Sequence, residues 1–242
     1  MLALPRLDGL RAVASLLYPP VCSICSEDVL AGEYLCDACD DKVTRIVPPF
    51  CSKCSEPFAG AISGPFDCAN CAHRILHFDA AVAAYRSRGI VRRVVLDFKY
   101  GRQMHLRHLL GRWLSAALND TRLRDQHFDI IVPVPLHPAR ERERGFNQAA
   151  LLANLVSRQI SIRSKALLER TRYTTTQTAF DRAERMENLR GAFRLRRGAN
   201  VRELRVLLID DVLTAGSTVS ECARVLKKAG ATSVYAATAA RA

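Results

Sequence analysis

The chain has 242 residues, 49% hydrophobic and 25% charged, which excludes wholesale disorder. No apolar run approaches the ~20 residues that span a bilayer, so membrane insertion is not expected. The apolar stretch 12–20 is too short for a signal-peptide core and ends in two prolines, which points to the cytoplasm. The net charge of +12 is uneven: residues 1–75 hold 6 Lys/Arg and 9 Asp/Glu (−3), and residues 76–242 hold 30 and 15 (+15). Any attraction to a polyanion therefore falls on the second segment.

Cysteines mark the first segment. Eight of the nine fall in four CxxC pairs: Cys22/Cys25, Cys36/Cys39, Cys51/Cys54 and Cys68/Cys71. A CxxC turn offers two thiolates, and a tetrahedral zinc needs four soft ligands, so four pairs suit two zinc ions. Chain-order pairing puts Cys22, Cys25, Cys36 and Cys39 on one ion and Cys51, Cys54, Cys68 and Cys71 on the other. A crossed arrangement stays open, because the gap between Cys39 and Cys51 is of similar length to the others. A disulfide framework needs an oxidising compartment, and a thioredoxin-like motif would normally occur once. With few large apolar residues, the segment is expected to rely on metal in place of a core. Cys222 lies on a helical face with Val219, Ala223 and Leu226 and reads as a small core residue.

Beyond residue 75 the pattern becomes α/β. A strand is expected at 80–85 and helices at 90–99 and 106–118. The run 130–134 suits a buried parallel strand and is followed by a helix at 147–159. A second buried strand covers 206–209, a helix starts near Ser217 and ends before Gly230, and a last strand covers 233–238. Strands alternating with helices imply a mostly parallel sheet with ligands beyond its carboxyl ends. The division expected is residues 1–75 as a two-site zinc module and 76–242 as the α/β domain.

The run Val206-Leu-Leu-Ile-Asp210-Asp211-Val-Leu-Thr214-Ala215-Gly216-Ser217-Thr218 carries the most chemistry. A hydrophobic strand delivers two carboxylates to its end, then a small-residue turn opens a helix. Backbone N–H groups in such a turn approach a phosphate closely, and Thr214, Ser217 and Thr218 add hydroxyls. Two carboxylates would repel a phosphate but can accept hydrogen bonds from sugar hydroxyls nearby. The combination suggests a ribose 5-phosphate. It is neither a Walker loop nor a dinucleotide fingerprint.

This run resembles the phosphoribosyl-pyrophosphate (PRPP) motif of type I phosphoribosyltransferases. The resemblance makes Asp210 and Asp211 the candidate catalytic residues, holding the ribose 2′- and 3′-hydroxyls. It assigns the 5′-phosphate to Thr214, Ala215, Gly216, Ser217 and Thr218, and implies a magnesium ion bound with PRPP. Further motifs narrow it: Tyr18-Pro-Pro-Val-Cys22, Phe98-Lys99-Tyr100, Val132-Pro-Val-Pro-Leu136, Arg144-Gly-Phe-Asn-Gln148, Gln177, Arg185, Asn188 and Phe193 are similar to the ComF family. That family combines a double zinc ribbon with a phosphoribosyltransferase-type domain and is associated with natural competence and DNA utilisation.

In that fold the segment after Pro135 corresponds to the pyrophosphate loop, making Arg140, Arg142 and Arg144 candidate anion ligands. Lys99 and Arg102 are weaker candidates. The polar stretch 171–193 is a candidate hood over the site, and His137 is the one histidine near the cleft. Two functions follow. One is phosphoribosyl transfer with an unknown acceptor. The other is a non-catalytic, non-specific single-stranded-DNA-binding competence accessory with PRPP as ligand or signal, working with competence or DNA-processing proteins. Arginines are plentiful for the second, but Phe146, Tyr173, Phe180 and Phe193 are the only aromatics near them in sequence.

Overall fold

The computed structural model describes residues 19–62, 64–173 and 189–242. Two one-turn helices occur in the cysteine-rich segment, α1 (Asp37–Asp40) and α2 (Ala69–Ala72), each directly after the first cysteine of a CxxC pair. The chain then runs β1 (Ala81–Arg86), α3 (Gly89–Tyr100), α4 (Arg107–Leu118), α5 (Thr121–Arg124) and β2 (Ile130–Pro133). It continues through α6 (Pro138–Arg144), α7 (Gln148–Ile160), β3 (Leu168–Arg170), β4 (Phe193–Leu195), β5 (Arg205–Leu213), α8 (Ser217–Lys228) and β6 (Ser233–Arg241).

Four strands form a parallel sheet in the order β1-β6-β5-β2, and β3 pairs with β4 as a separate antiparallel ribbon. The central strands are apolar on both faces because both faces are covered. Successive residues of β5 divide between the faces: Leu207 and Ile209 join the core with α3, α4 and α7, while Val206 and Leu208 join the core with α8 and β4. Cys222 sits in that second core, fully buried as expected, and burial pushes its thiol pKa well up.

The zinc module shares both cores. Cys22, Cys39, Leu35 and Val43 are part of the α3/α4 core, and Cys51, Cys54 and Cys71 are part of the α8 core. A segment too poor in large apolar residues to bury itself thus gains its burial from the sheet domain, in addition to any metal. Among the described residues no helix is long and apolar enough to cross a membrane.

Two details differ from the sequence reading. The strand expected at 206–209 continues to Leu213, because β6 goes on pairing with it at Asp210↔Thr238, Val212↔Ala240 and Leu213↔Arg241. The two acids are therefore held in extended backbone, within the strand and not past its end. What ends there is the neighbour: β2 pairs with β5 only as far as Pro133↔Ile209, and the next residue, Val134, donates to the Ile209 carbonyl at 2.9 Å. The segment read as an anion loop is also mainly helical, as α6. His137 caps it by accepting from Ala139 N–H at 3.2 Å, Pro138 occupies its first turn, and Gly145 ends it at φ +82°.

Candidate active site

Where β2 leaves the sheet, a cleft of about 260 Å³ opens over Asp210 and Asp211. Alternation along β5 sends the two carboxylates to different surroundings. Asp211 is buried, 3% exposed, and its Oδ2 receives Lys99 Nζ of α3 at 2.7 Å. Burial alone would lower the Lys99 pKa, but the Asp211 carboxylate outweighs it and the net shift is upward. Asp211 Oδ1 also accepts the Val212 N–H at 2.9 Å, so this side chain is heavily engaged. Asp210 is the more accessible member, and its Oδ1 accepts the Asp211 N–H at 2.9 Å. Burial, then the charge of Asp211, raise its carboxyl from the ordinary 3.8 to about 8. A cleft carboxyl raised by burial and a neighbouring charge is a recurrent mark of functional sites.

The turn after β5 leads straight into α8. Gly216 sits at the helix N-cap with φ +74°, a left-handed conformation that excludes most side chains and turns the following N–H groups toward the helix start. Thr214 and Thr218 line the cleft. Ala215, Gly216 and Ser217 are buried and outside its lining. The Ser217 hydroxyl instead accepts from the Arg74 guanidinium at 2.9 Å.

The three arginines of α6 separate by helical geometry. Positions 140 and 144 are four apart and share a face, and both line the cleft; Arg142 lies between them, points elsewhere and is exposed. Arg144 donates to Gln148 Oε1 and to the Tyr100 hydroxyl, each at 3.0 Å, and its buried Nε has no hydrogen-bond partner. Arg102 is exposed and outside the lining. Lys99 is inside it, but as the partner of Asp211 and not as a free anion ligand. Residues 174–188, most of the candidate hood, lie outside the described residues, and so do Tyr18, Gln177, Phe180, Arg185 and Asn188.

Sequence reasoning missed Arg170, and read Tyr100 only as part of a family-like motif, not as a cleft residue. Arg170 ends β3, lines the cleft, stacks over Phe193 at 5.4 Å and has its pKa lowered by burial. Tyr100 and Tyr173 both line the cleft and are 59% and 51% exposed, each with an arginine over its ring: Arg144 at 4.8 Å and Arg140 at 5.5 Å. No periodic signal marks such residues; only the positions of α3 and β3 beside the acid pair do. The lining holds four Lys/Arg (Lys99, Arg140, Arg144, Arg170) against two acids, of which Asp210 keeps its proton up to about pH 8, so positive charge is in excess and suits an anionic ligand.

The cysteines form two groups, Cys22/Cys25/Cys36/Cys39 and Cys51/Cys54/Cys68/Cys71, with the sulfurs of each group all within 4.8 Å of one another. This is chain-order pairing, and it removes the crossed alternative. Sγ separations of 3.5 Å (Cys25–Cys36), 3.7 Å (Cys25–Cys39) and 3.6 Å (Cys54–Cys68) match the ~3.8 Å edge of a tetrahedron with ~2.3 Å zinc–sulfur bonds. Crowded thiols oppose one another's ionisation. Burial and its neighbours push Cys39 up to about 12, and the Cys51 sulfur pushes Cys54 up to about 12. A dication is the natural means of holding four thiolates so close, and both groups suit structural zinc.

A parallel sheet, an acid pair beside a glycine turn that opens a helix, and two four-cysteine groups together define the class: a phosphoribosyltransferase-type domain joined to a double zinc ribbon. Family models agree, with "Double zinc ribbon domain" matching residues 13–72 and "Phosphoribosyl transferase domain" matching residues 147–242. The chain belongs to the ComF family. It is 33% identical over 167 residues to Competence protein F of Haemophilus influenzae, covering 67% of this chain and 73% of that protein. It is 30% identical over 238 residues to DNA utilization protein YhgH of Escherichia coli K12, covering 97% and 96%. Competence protein ComFC of Bacillus subtilis matches over 113 residues at 30% identity, 44% of this chain and 41% of that protein.

Proposed function

We propose that the chain binds PRPP and transfers its phosphoribosyl group to an acceptor used in nucleotide or DNA utilisation. The observation that carries this reading is the convergence, in one cleft, of Asp210, Asp211, Thr214, Thr218, Arg140, Arg144 and Arg170. In this reading the turn from Thr214 to Thr218 holds the 5′-phosphate through backbone N–H groups and the two threonine hydroxyls. Asp210, the accessible acid, accepts from a ribose hydroxyl; Asp211, tied to Lys99, holds its position and takes the second contact. The arginines lie toward the pyrophosphate, where they offset the charge that grows as it leaves C1. Positive charge developing on the sugar ring is offset by the carboxylates. Oxygen ligands suit magnesium, and Asp210 and Asp211 are the only carboxylates in the lining among the described residues. A magnesium ion bound with PRPP supplies further neutralisation of the leaving group.

Isotope-labelled PRPP with magnesium, incubated with candidate bases and oligonucleotides, tests the proposal. Pyrophosphate release that depends on one acceptor supports transfer. PRPP binding without release by any acceptor rejects it and favours a second reading, a DNA-utilisation accessory for which PRPP is a ligand or signal. The exposed faces of Tyr100 and Tyr173 beside arginines support that alternative, as stacking platforms for single-stranded DNA. The aromatics singled out from sequence support it less: Phe193 is buried, and Phe146 packs on Phe98 at 5.4 Å. Cytoplasmic location and contact with competence or DNA-processing proteins belong to this functional proposal.

A further inference from the structure

The turn that opens α8 is braced from outside the cleft by the second cysteine group. Asn70 lies on α2, between Cys68 and Cys71, and Arg74 follows three residues after Cys71. Arg74 donates to the Ala215 carbonyl at 3.1 Å and to the Ser217 hydroxyl at 2.9 Å, and Asn70 Nδ2 donates to the same Ala215 carbonyl at 3.4 Å. Arg74 also donates to Asn70 Oδ1, so the two side chains act as one unit. The same segment continues along the helix start, with His77 N–H donating to Ser220 Oγ at 3.1 Å and the Phe78 ring lying beneath Gly216.

A second tie closes the other end of the turn. Arg241, buried at the end of β6, donates to the Cys54 carbonyl at 3.2 Å and to the Leu213 carbonyl at 3.3 Å, and pairs with Glu56. Leu213, Ala215 and Ser217 are thus each bonded to a guanidinium that also contacts the second ribbon or belongs to it. The first cysteine group makes no such contact among the bonds described; it packs on the opposite face of the sheet.

We infer that the second zinc ribbon is a working part of the anion turn, with Arg74 as its positioning residue. An anion turn binds well only if its N–H groups are already aimed, since ordering them on binding costs affinity. Arg74 orders them by fixing the carbonyl on one side of Gly216 and the hydroxyl on the other. The CxxC turn holding Cys68 and Cys71 fixes α2, and through it Asn70 and Arg74. Metal at the second site and phosphate at the turn then stabilise the same arrangement and are coupled. This inference rests on the PRPP reading for the identity of the anion, but not for the brace itself.

The test uses the full zinc-loaded chain, comparing the parent with Arg74→Ala, Arg74→Lys, Cys36→Ser and Cys68→Ser. Amide hydrogen exchange across residues 214–218 reads the brace, calorimetry with PRPP and with inorganic pyrophosphate reads binding, and metal analysis reads zinc. Arg74→Ala should retain two zinc ions, speed exchange in the turn at least tenfold and weaken PRPP about ten- to hundredfold while leaving pyrophosphate binding within about twofold. Arg74→Lys should recover part of the PRPP loss. Cys68→Ser should lose one zinc and reproduce the exchange change, whereas Cys36→Ser should lose one zinc and leave the turn protected. Unchanged exchange in Arg74→Ala, or equal effects of the two cysteine variants on the turn, would overturn the inference. Faster exchange in a protein whose parent does not bind PRPP would support the brace and overturn the ligand reading instead.

Discussion

Lys99 Nζ lies 2.7 Å from Asp211 Oδ2, with the two side chains only 18% and 4% exposed, so the basic residue of the Phe98-Lys99-Tyr100 motif is committed to an acid far along the chain. The pair joins α3 to β5 directly beneath the cleft. Removing one partner of a buried pair leaves an uncompensated charge, which costs about 3–5 kcal/mol. Lys99→Met should therefore lower the unfolding free energy by an amount of that order, read as a lower urea midpoint. Adding Asp211→Asn should recover much of the loss, because the orphaned charge is gone. Equal midpoints for parent and Lys99→Met would reject the pair as a structural element.

Asp210 predicts a dependence of stability on pH. Its carboxyl is raised from 3.8 to about 8 by burial and by Asp211, so between those values the folded state holds a proton that the unfolded state has released. The associated stability is fully present below about pH 4 and is lost progressively as the pH rises to about 8. Asp210→Asn removes the titration. Its stability relative to the parent should grow from pH 5 to pH 8.5 and reach on the order of 2 kcal/mol, less than four full units would give because Asp211 and Lys99 share the load. Parallel stability curves for the two proteins across that range would contradict the assignment.

Much of this architecture was legible because it is local in sequence. The run from Val206 to Thr218 carries strand, acids, turn and helix start in thirteen consecutive residues, and the CxxC spacing names its own ligands. The hydrophobic pattern ends the strand at Ile209 because apolarity stops there, while backbone pairing with β6 does not. A charge run taken without a helical period groups Arg142 with Arg140 and Arg144, but in α6 it lies off their shared face. The Lys99–Asp211 pair, Arg170 and the Arg74 brace are contacts between distant segments, set by how α3, β3 and the second ribbon pack around β5. No single stretch of sequence encodes them.

The arginines of α6 give a direct comparison. Arg140→Ala and Arg144→Ala should each weaken PRPP binding about tenfold or more, the loss expected for a charge-assisted hydrogen bond to a phosphate oxygen. Arg142→Ala should leave binding within about twofold, since its side chain is exposed and outside the cleft lining. Isothermal calorimetry on the three variants checks this. A loss in Arg142→Ala equal to the others would mean that net charge, and not the face of α6, controls binding.

Two separate four-cysteine groups predict two zinc ions per chain. Cys36→Ser should remove one ion and retain the other, because Cys51, Cys54, Cys68 and Cys71 form a group of their own. Zinc analysis by mass spectrometry under native conditions reads the count. Loss of both ions in a folded variant would contradict independent sites.

The most direct test of the site as a PRPP site is calorimetry on the Asp210→Asn/Asp211→Asn double variant. Measured above about pH 8, where Asp210 is ionised, a purely electrostatic anion site should bind more tightly once two negative charges are gone. Two carboxylates that accept hydrogen bonds from ribose hydroxyls should instead be missed, at on the order of 3–6 kcal/mol before compensation, against about 1 kcal/mol gained per relieved charge pair. The account predicts PRPP binding at least tenfold weaker, with single-stranded DNA bound no worse than by the parent, because the net charge has risen. Unchanged or tighter PRPP binding by a folded double variant would contradict the ribose assignment and remove the case for phosphoribosyl transfer.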